Sequence, residues 1–252
     1  MALPTLTAPE YEITLLSQAK PVKFRPYLVR EEKILLMAQQ GEDKKEIETA
    51  IKTIIRNCTF DAIDVDRLPS FDLEYIYLQL RAKSVNNVIE TKFECRNMLR
   101  EEKDQRKDDR DDGRCHATVP VKINLDDIQL TTNEKHSKTV LISDTVGVTM
   151  RYPTADSNVT LGPEGLNPLD VLTVLEDCIE NVYTTDGEVH EFQDQTVKDR
   201  QEFIESMNVK QLELIQEFFI TMPALVHTVN FACPKCEYTE AIELRGLDSF
   251  FG

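Results

Sequence analysis

Ile47, Ile51, Ile54 and Ile55 recur at i, i+4, i+7 and i+8, the spacing of a helix that buries one side. A second stripe, Leu73, Ile76, Tyr77 and Leu80, follows Pro69 and predicts a helix with Ser70 as its N-cap. Asn167-Pro168 opens a third, with Leu172, Leu175, Ile179 and Val182 as its stripe. A fourth runs from about Asn208 through Leu212, Ile215, Phe218 and Phe219 and stops before Pro223. Between the helices the apolar period falls to two. Val88 to Phe93, Val119 to Leu125, Val146 to Tyr152 and Leu225 to Phe231 all read as strands. The expected fold class is α+β: helical segments with small antiparallel, zinc-ribbon-like β elements.

Two stretches carry no such period. KPVKFRPYLVR, residues 20 to 30, is broken by Pro21 and Pro26 and suits an extended arm or an edge strand. Its Lys20, Lys23, Arg25 and Arg30 lie beside Val22, Phe24, Tyr27 and Leu28, which leaves two readings. The arm docks on a partner's sheet edge, or it packs on its own domain with Phe24 and Tyr27 in the core. RNMLREEKDQRKDDRDDGR, residues 96 to 114, is almost wholly charged and reads as a solvated insertion. A turn-rich break over 153–168 supplies a boundary. It divides the chain into an N-terminal helical/β unit, 1–152, carrying the insertion, and a C-terminal helical unit, 153–252.

The two halves resemble one another. The Leu73 to Leu80 helix leads through a strand to Phe93-Glu94-Cys95, and the Leu212 to Phe219 helix leads through a strand to Phe231-Ala232-Cys233. Each half then reaches a second cysteine, another strand, and a similar ending, INLDDI or IELRGL. An internal duplication of a helix–strand–cysteine–strand unit is one account of this match, and chance is the other.

Cys233-Pro-Lys-Cys236 has the C-x2-C spacing that turns two thiolates onto one tetrahedral ion. Cys95 and Cys115 hold the equivalent places in the first half once the insertion loops out. These four cysteines are the candidate ligands of a structural Zn2+, with His116 able to stand in for one of them. Four thiolates would leave no open position for catalysis. A metal-free ribbon and a redox pair are the competing readings. Redox pairs usually open a helix, whereas strand patterns flank this one. Cys58 and Cys178 fall in helical patterns and are expected as buried core thiols.

Composition narrows the function classes. The 252 residues carry a formal charge of −16, which argues against binding a nucleic-acid backbone or an anionic membrane. No apolar run approaches the roughly 20 residues that span a bilayer. The start, Met1-Ala2-Leu3-Pro4, lacks the features of a signal peptide, so the expected chain is soluble and made in a cytoplasm. No G-x-S-x-G, Walker A, H-E-x-x-H or G-x-G-x-x-G occurs, and His136, His190 and His227 have no recognisable catalytic partner. No enzyme is expected.

Three stretches, KPVKFRPYLVREEKILLMA, LEYIYLQLRAKSVNNVIETKFEC and FFITMPALVHTVNFACPKC, with the ending LRGLDSFFG, resemble the T4-type bacteriophage baseplate-hub protein family. The resemblance runs from about Lys20 to the C-terminus. It is weakest in the charged insertion and in the turn-rich region before Asn167. It implies a non-enzymatic structural or assembly role in the hub of a contractile-tail baseplate, partners among the other baseplate and hub proteins, and a place in the virion after assembly in the host cytoplasm. It implies no catalytic residues. A zinc-ribbon regulator that binds nucleic acid is the alternative from another class.

Overall fold

The computed structural model describes residues 6–41, 43–99, 113–154, 157 and 168–251. They form an α+β fold in which small antiparallel sheets pack around helices. In chain order, β1 (Tyr11–Ile13) pairs antiparallel with β2 (Val22–Phe24), and α1 (Val29–Gln40), α2 (Lys44–Cys58) and α3 (Ser70–Ser84) follow. β3 (Val88–Glu94) and β4 (Thr118–Asn124) form a hairpin, paired from Val88 opposite Asn124 to Glu94 opposite Thr118. β5 (Gln129–Thr131) comes next. β6 (Thr139–Leu141), β7 (Val146–Met150), β8 (Ile179–Thr184) and β9 (Val189–Glu191) make a four-stranded meander. α4 (Pro168–Cys178) lies between β7 and β8. After α5 (Val197–Glu205) and α6 (Val209–Thr221), β10 (Ala224–Ala232) pairs with β11 (Thr239–Arg245) on one side and β5 on the other. α7 (Leu247–Phe251) ends the described chain.

The predicted stripes locate most helices. Ile54 and Ile55 of α2 are fully buried, and Asp43 caps that helix by accepting from the Lys45 N–H at 2.9 Å. Asn208 caps α6 with a reciprocal Gln211 bond, as a capping box requires. α3 begins one residue earlier than expected. Pro69, which has no N–H to leave unpaired, takes the cap position, and the Ser70 N–H donates to the Pro153 carbonyl at 3.0 Å.

One stripe changes type midway. Ile179 and Val182 were expected to continue the third helix, but α4 stops at Cys178 and both residues lie in β8. The sequence from Ile179 to Thr184 is rich in β-branched and aromatic residues, which pack better on a pleated surface than on a helix. The Cys178 carbonyl accepts from the Arg151 N–H at 2.8 Å instead of continuing the helical ladder. Within that meander Gly147 lies opposite Tyr183, and a Cβ at 147 would overlap the Tyr183 ring.

α3 carries buried residues on three sides. Leu73, Ile76, Tyr77 and Leu80 join the core made with α2 and β2. Phe71 packs with Val148, Val171, Leu175 and Phe219. Leu78 and Ala82 pack with Ile123, Leu225 and Leu244 from the two hairpins. The sequence pattern located the first of these faces and missed the other two. Among the described residues, no helix is long and apolar enough to cross a membrane.

The basic stretch after Lys20 packs on its own domain. Val22, Phe24 and Tyr27 are buried, and so is Arg25. The Arg25 guanidinium donates to both Glu31 carboxylate oxygens (2.9 and 3.5 Å) and to the Pro26 carbonyl at 3.0 Å. Glu31 has no exposed surface and also accepts from the Leu28 N–H at 2.8 Å and from Arg30 at 2.7 Å. A buried charge is stable only with such partners. Lys23 and Arg25 therefore do not form a joint docking patch.

Burial acts to raise the Glu31 carboxyl, but the Arg25, Leu28 and Arg30 donors outweigh it and hold it at about 2, against 4.5 for a free side chain. The unfolded chain thus binds the proton more readily than the folded one. The stabilisation from this group is complete above about pH 4.5 and is lost as the pH falls toward about 2. Glu31→Ala is expected to lower stability by about 3–5 kcal/mol, because it strands Arg25 in the core. In urea titrations, Glu31→Gln should lose less stability than the parent chain between about pH 5 and pH 3. Equal losses would refute this role.

Candidate metal centre

Two hairpins end side by side, and each ends in a cysteine turn. In the first, β3 runs directly into Cys95, and Cys115 precedes β4 by two residues. In the second, β10 runs into Cys233, and Cys236 precedes β11 by two residues. The turns share their backbone bonds. The Cys95 N–H donates to the Ala117 carbonyl (2.8 Å) and the His116 N–H to the Cys95 carbonyl (3.0 Å); the Cys233 N–H donates to Tyr238 (2.9 Å) and the Glu237 N–H to Cys233 (2.9 Å). His116 (φ +50°) and Glu237 (φ +60°) both take the left-handed conformation directly after the second cysteine. That geometry is uncommon for residues other than glycine. In both turns the next N–H, of Ala117 or Tyr238, acts to lower the pKa of the preceding cysteine thiol.

All four Sγ atoms lie within 4.8 Å of one another. The bonded approaches run between the hairpins: Cys95 to Cys236 at 3.6 Å and Cys115 to Cys233 at 3.7 Å. These are far longer than a disulfide bond of about 2.05 Å, and all four are free cysteines. They match the edge of about 3.8 Å that four sulfurs form at about 2.3 Å from a central Zn2+. The donor set therefore fits a tetrahedral thiophilic ion. Cys95, Cys115 and Cys233 are buried and Cys236 half-buried, walled by Val119 and Phe231.

Polar donors surround the cluster. The Asn97 side-chain amide donates to Cys236 Sγ at 3.6 Å, and Lys235 Nζ donates to the Cys115 carbonyl at 3.0 Å. The Asn97 N–H acts to lower the pKa of Cys95. Burial pushes the Cys95 thiol up to about 12 and raises Cys115 as well. The Tyr238 N–H, with Asn97 and the neighbouring thiols, draws Cys236 down to about 6. Such second-layer donors orient and tune thiolate ligands. Sequence reasoning did not single out Asn97 or Lys235, whose only signal was adjacency to a cysteine.

His116 is turned away from the sulfurs. Its Nδ1 lies 2.5 Å from Glu94 Oε1 on the half-exposed outer side of the turn, so the four cysteines form the cluster without it. His136 is part of a separate packed group. It bonds Thr221 Oγ1 and Tyr152 Oη, each at 3.0 Å, and its ring stacks on Tyr152. Cys58 and Cys178 are buried in apolar cores away from the cluster.

The base of the charged insertion is described, while 100–112 lie outside the described residues. Leu99 N–H donates to the Gly113 carbonyl and Cys115 N–H to the Asn97 carbonyl, each at 2.9 Å. The two ends thus meet above the cysteine turn, and a short turn can join them. Replacing 100–112 by a two-residue Asn-Gly turn is expected to change the melting temperature by no more than about 4 °C. Insoluble expression of that variant would count against this.

The family described as T4 bacteriophage base plate protein matches residues 8–252. The baseplate hub assembly protein gp26 of Enterobacteria phage T4 is 22% identical over 243 residues, which cover 96% of this chain and 98% of that protein. No solved structure matches. With nearly its whole length matched, this chain belongs to the T4 bacteriophage base plate protein family.

Proposed function

We propose that this chain is an assembly component of a contractile-tail baseplate hub, acting through contacts with other baseplate proteins and held together in part by one structural Zn2+. The observation that carries the assembly reading is the end-to-end match to a baseplate hub assembly protein, 96% of one chain against 98% of the other. The place of action on this reading is the virion baseplate, reached after assembly in the host cytoplasm.

The metal reading rests on the sulfur cluster. Cys95, Cys115, Cys233 and Cys236 would hold the ion and fill its coordination, so its chemistry would be cross-linking rather than catalysis. Each half of the chain presents the same order. α3, β3, a cysteine turn, β4 and a short 3-10 turn at Leu125–Asp127 parallel α6, β10, a cysteine turn, β11 and α7. The shared turn bonds and the shared left-handed residue support an internal duplication, with each copy contributing two ligands to one zinc-ribbon-like site.

Elemental analysis of the purified chain is expected to find one zinc per molecule. Cys233→Ser should abolish it and lower the melting temperature by more than about 10 °C, since structural zinc contributes its binding energy to folding. Cys58→Ala should keep the metal. A folded chain without metal, whose four cluster thiols all react with a thiol reagent, would overturn the zinc reading. For assembly, affinity capture of the tagged chain from infected cells should recover baseplate proteins, and mass spectrometry of finished virions then shows whether the chain stays. Capture that brings down no baseplate protein would refute the role.

A further inference from the structure

Solvent reaches the sulfur cluster at one member. Cys236 is half-buried, whereas Cys95, Cys115 and Cys233 show at most 2% of their surface. The residues on either side of Cys236, Lys235 and Glu237, are exposed. A small oxidant therefore meets Cys236 before the other three. The sulfur that Cys236 contacts at hydrogen-bond geometry is Cys95 of the other hairpin, at 3.6 Å, and not Cys233 of its own turn. Cys115 and Cys233 repeat that cross-hairpin contact at 3.7 Å. An accessible cysteine poised beside a second one is the arrangement of an oxidation-sensitive site.

The choice of partner decides what oxidation does to the fold. A bridge within the C-x2-C turn would join residues three apart and leave the two hairpins tied by apolar contacts alone. Bridges between the turns would span 141 and 118 positions and join the same two hairpins that an ion would hold. Cross-links that close long loops restrict the unfolded chain most. Each gap need shrink only to about 2.05 Å, a shift smaller than a sulfur makes between side-chain rotamers.

We propose that the cluster is an oxidation site, at which a peroxide replaces a metal clamp by two disulfides between the hairpins, Cys95–Cys236 first and Cys115–Cys233 second. The proposal rests on the four-cysteine reading above and adds its regulation. The Cys236 sulfur attacks one peroxide oxygen, the O–O bond breaks, and the departing hydroxide is protonated to water. Cys236, now a sulfenic acid, has lost two electrons to the peroxide. The Cys95 sulfur then attacks the Cys236 sulfur, the S–O bond breaks, and the second oxygen also leaves as water. Two thiols and one peroxide thus yield one disulfide and two waters. Cys115 and Cys233 pair by the same two steps with a second peroxide. Sulfurs bonded in this way no longer hold a Zn2+ ion, yet the hairpins stay joined. On the assembly reading, the chain is built in a reducing cytoplasm and carried into an oxidising medium, and the cluster ties the hairpins in both.

Trypsin puts each cluster cysteine on its own peptide: 93–96, 115–122, 211–235 and 236–245. The full-length chain, purified without oxygen, is treated with hydrogen peroxide and mapped without reduction. Peptide 93–96 should be found linked to 236–245, and later 115–122 to 211–235. A sulfenic-acid trap present during the reaction should label 236–245 first. A bridge within either turn, first labelling elsewhere, or oxidation to sulfonic acid without bridging overturns the proposal. The oxidised chain should release its zinc and still melt within about 5 °C of the untreated one. The reduced chain stripped by a chelator should melt more than about 10 °C lower. Equal melting of the oxidised and stripped chains overturns the clamp. Zinc missing from the untreated chain refutes the zinc reading, and the peptides still decide the pairing. Zinc present with pairing inside the turns refutes this proposal alone.

Discussion

Three packed cores meet on one helix, and that shared wall is the constraint on which the rest of the fold depends. α3 runs for 15 residues and carries buried residues on three sides, where an ordinary surface helix buries one stripe. Each of those sides must be covered by something else. α2 and the β1–β2 pair cover one side, the meander with α4 and α6 another, and the two cysteine hairpins the third. Each large apolar side chain so buried contributes about 1.5–3 kcal/mol. The segments before and after the charged insertion are thereby tied to the same fifteen residues. Asp72 extends the tie to the N-terminal segment: fully buried, it accepts from the Leu16 and Ser17 N–H groups at 3.0 and 2.8 Å.

The hairpins need that wall and also need each other. A two-stranded hairpin is at best marginally stable on its own, and among the described residues β3 and β4 have no third strand in their sheet. Their inner faces meet those of β10 and β11 through Phe93, Val121, Val229 and Ile242. At the tips, where an apolar layer would run out, four sulfurs close the gap. Since the short approaches link Cys95 with Cys236 and Cys115 with Cys233, 141 and 118 positions apart, a bound cation would close a loop far longer than either turn. The site is thus placed where a cross-link adds most to the order of the chain.

The cysteine site was largely legible because its signal is chemical and local. C-x2-C between strand patterns announces a turn of known shape, and the equivalent positions of Cys95 and Cys115 emerge once the charged stretch is set aside. What periodicity could not show was anything decided by tertiary contact. Ile179 and Val182 fit a helical spacing, yet their segment pairs with β7 because a strand edge was available there. β5 is three residues long and exists only against β10. Lys23 and Arg25 looked alike in the sequence, but one is exposed and the other is buried against Glu31. Residue type alone does not distinguish a cation held by the core from one offered to a partner.

That distinction bears on how an acidic chain makes specific contacts. Several of its cations are engaged within the fold: Lys52 with Glu48, Lys83 with Asp126 and Arg200 with Glu176, at 2.8 to 3.0 Å. The half-exposed Lys83–Asp126 pair contributes about 0–1 kcal/mol, whereas Lys52 and Arg200 are mostly buried in theirs. The remaining acidic excess makes copies of the chain repel one another. Under that general repulsion, attachment needs a local exception in which apolar area supplies affinity and a few cations supply register. The outer face of α1 shows how selectively the fold places its charges: Val29, Leu36 and Met37 are exposed there, while Arg30 is held by Glu31 at 2.7 Å.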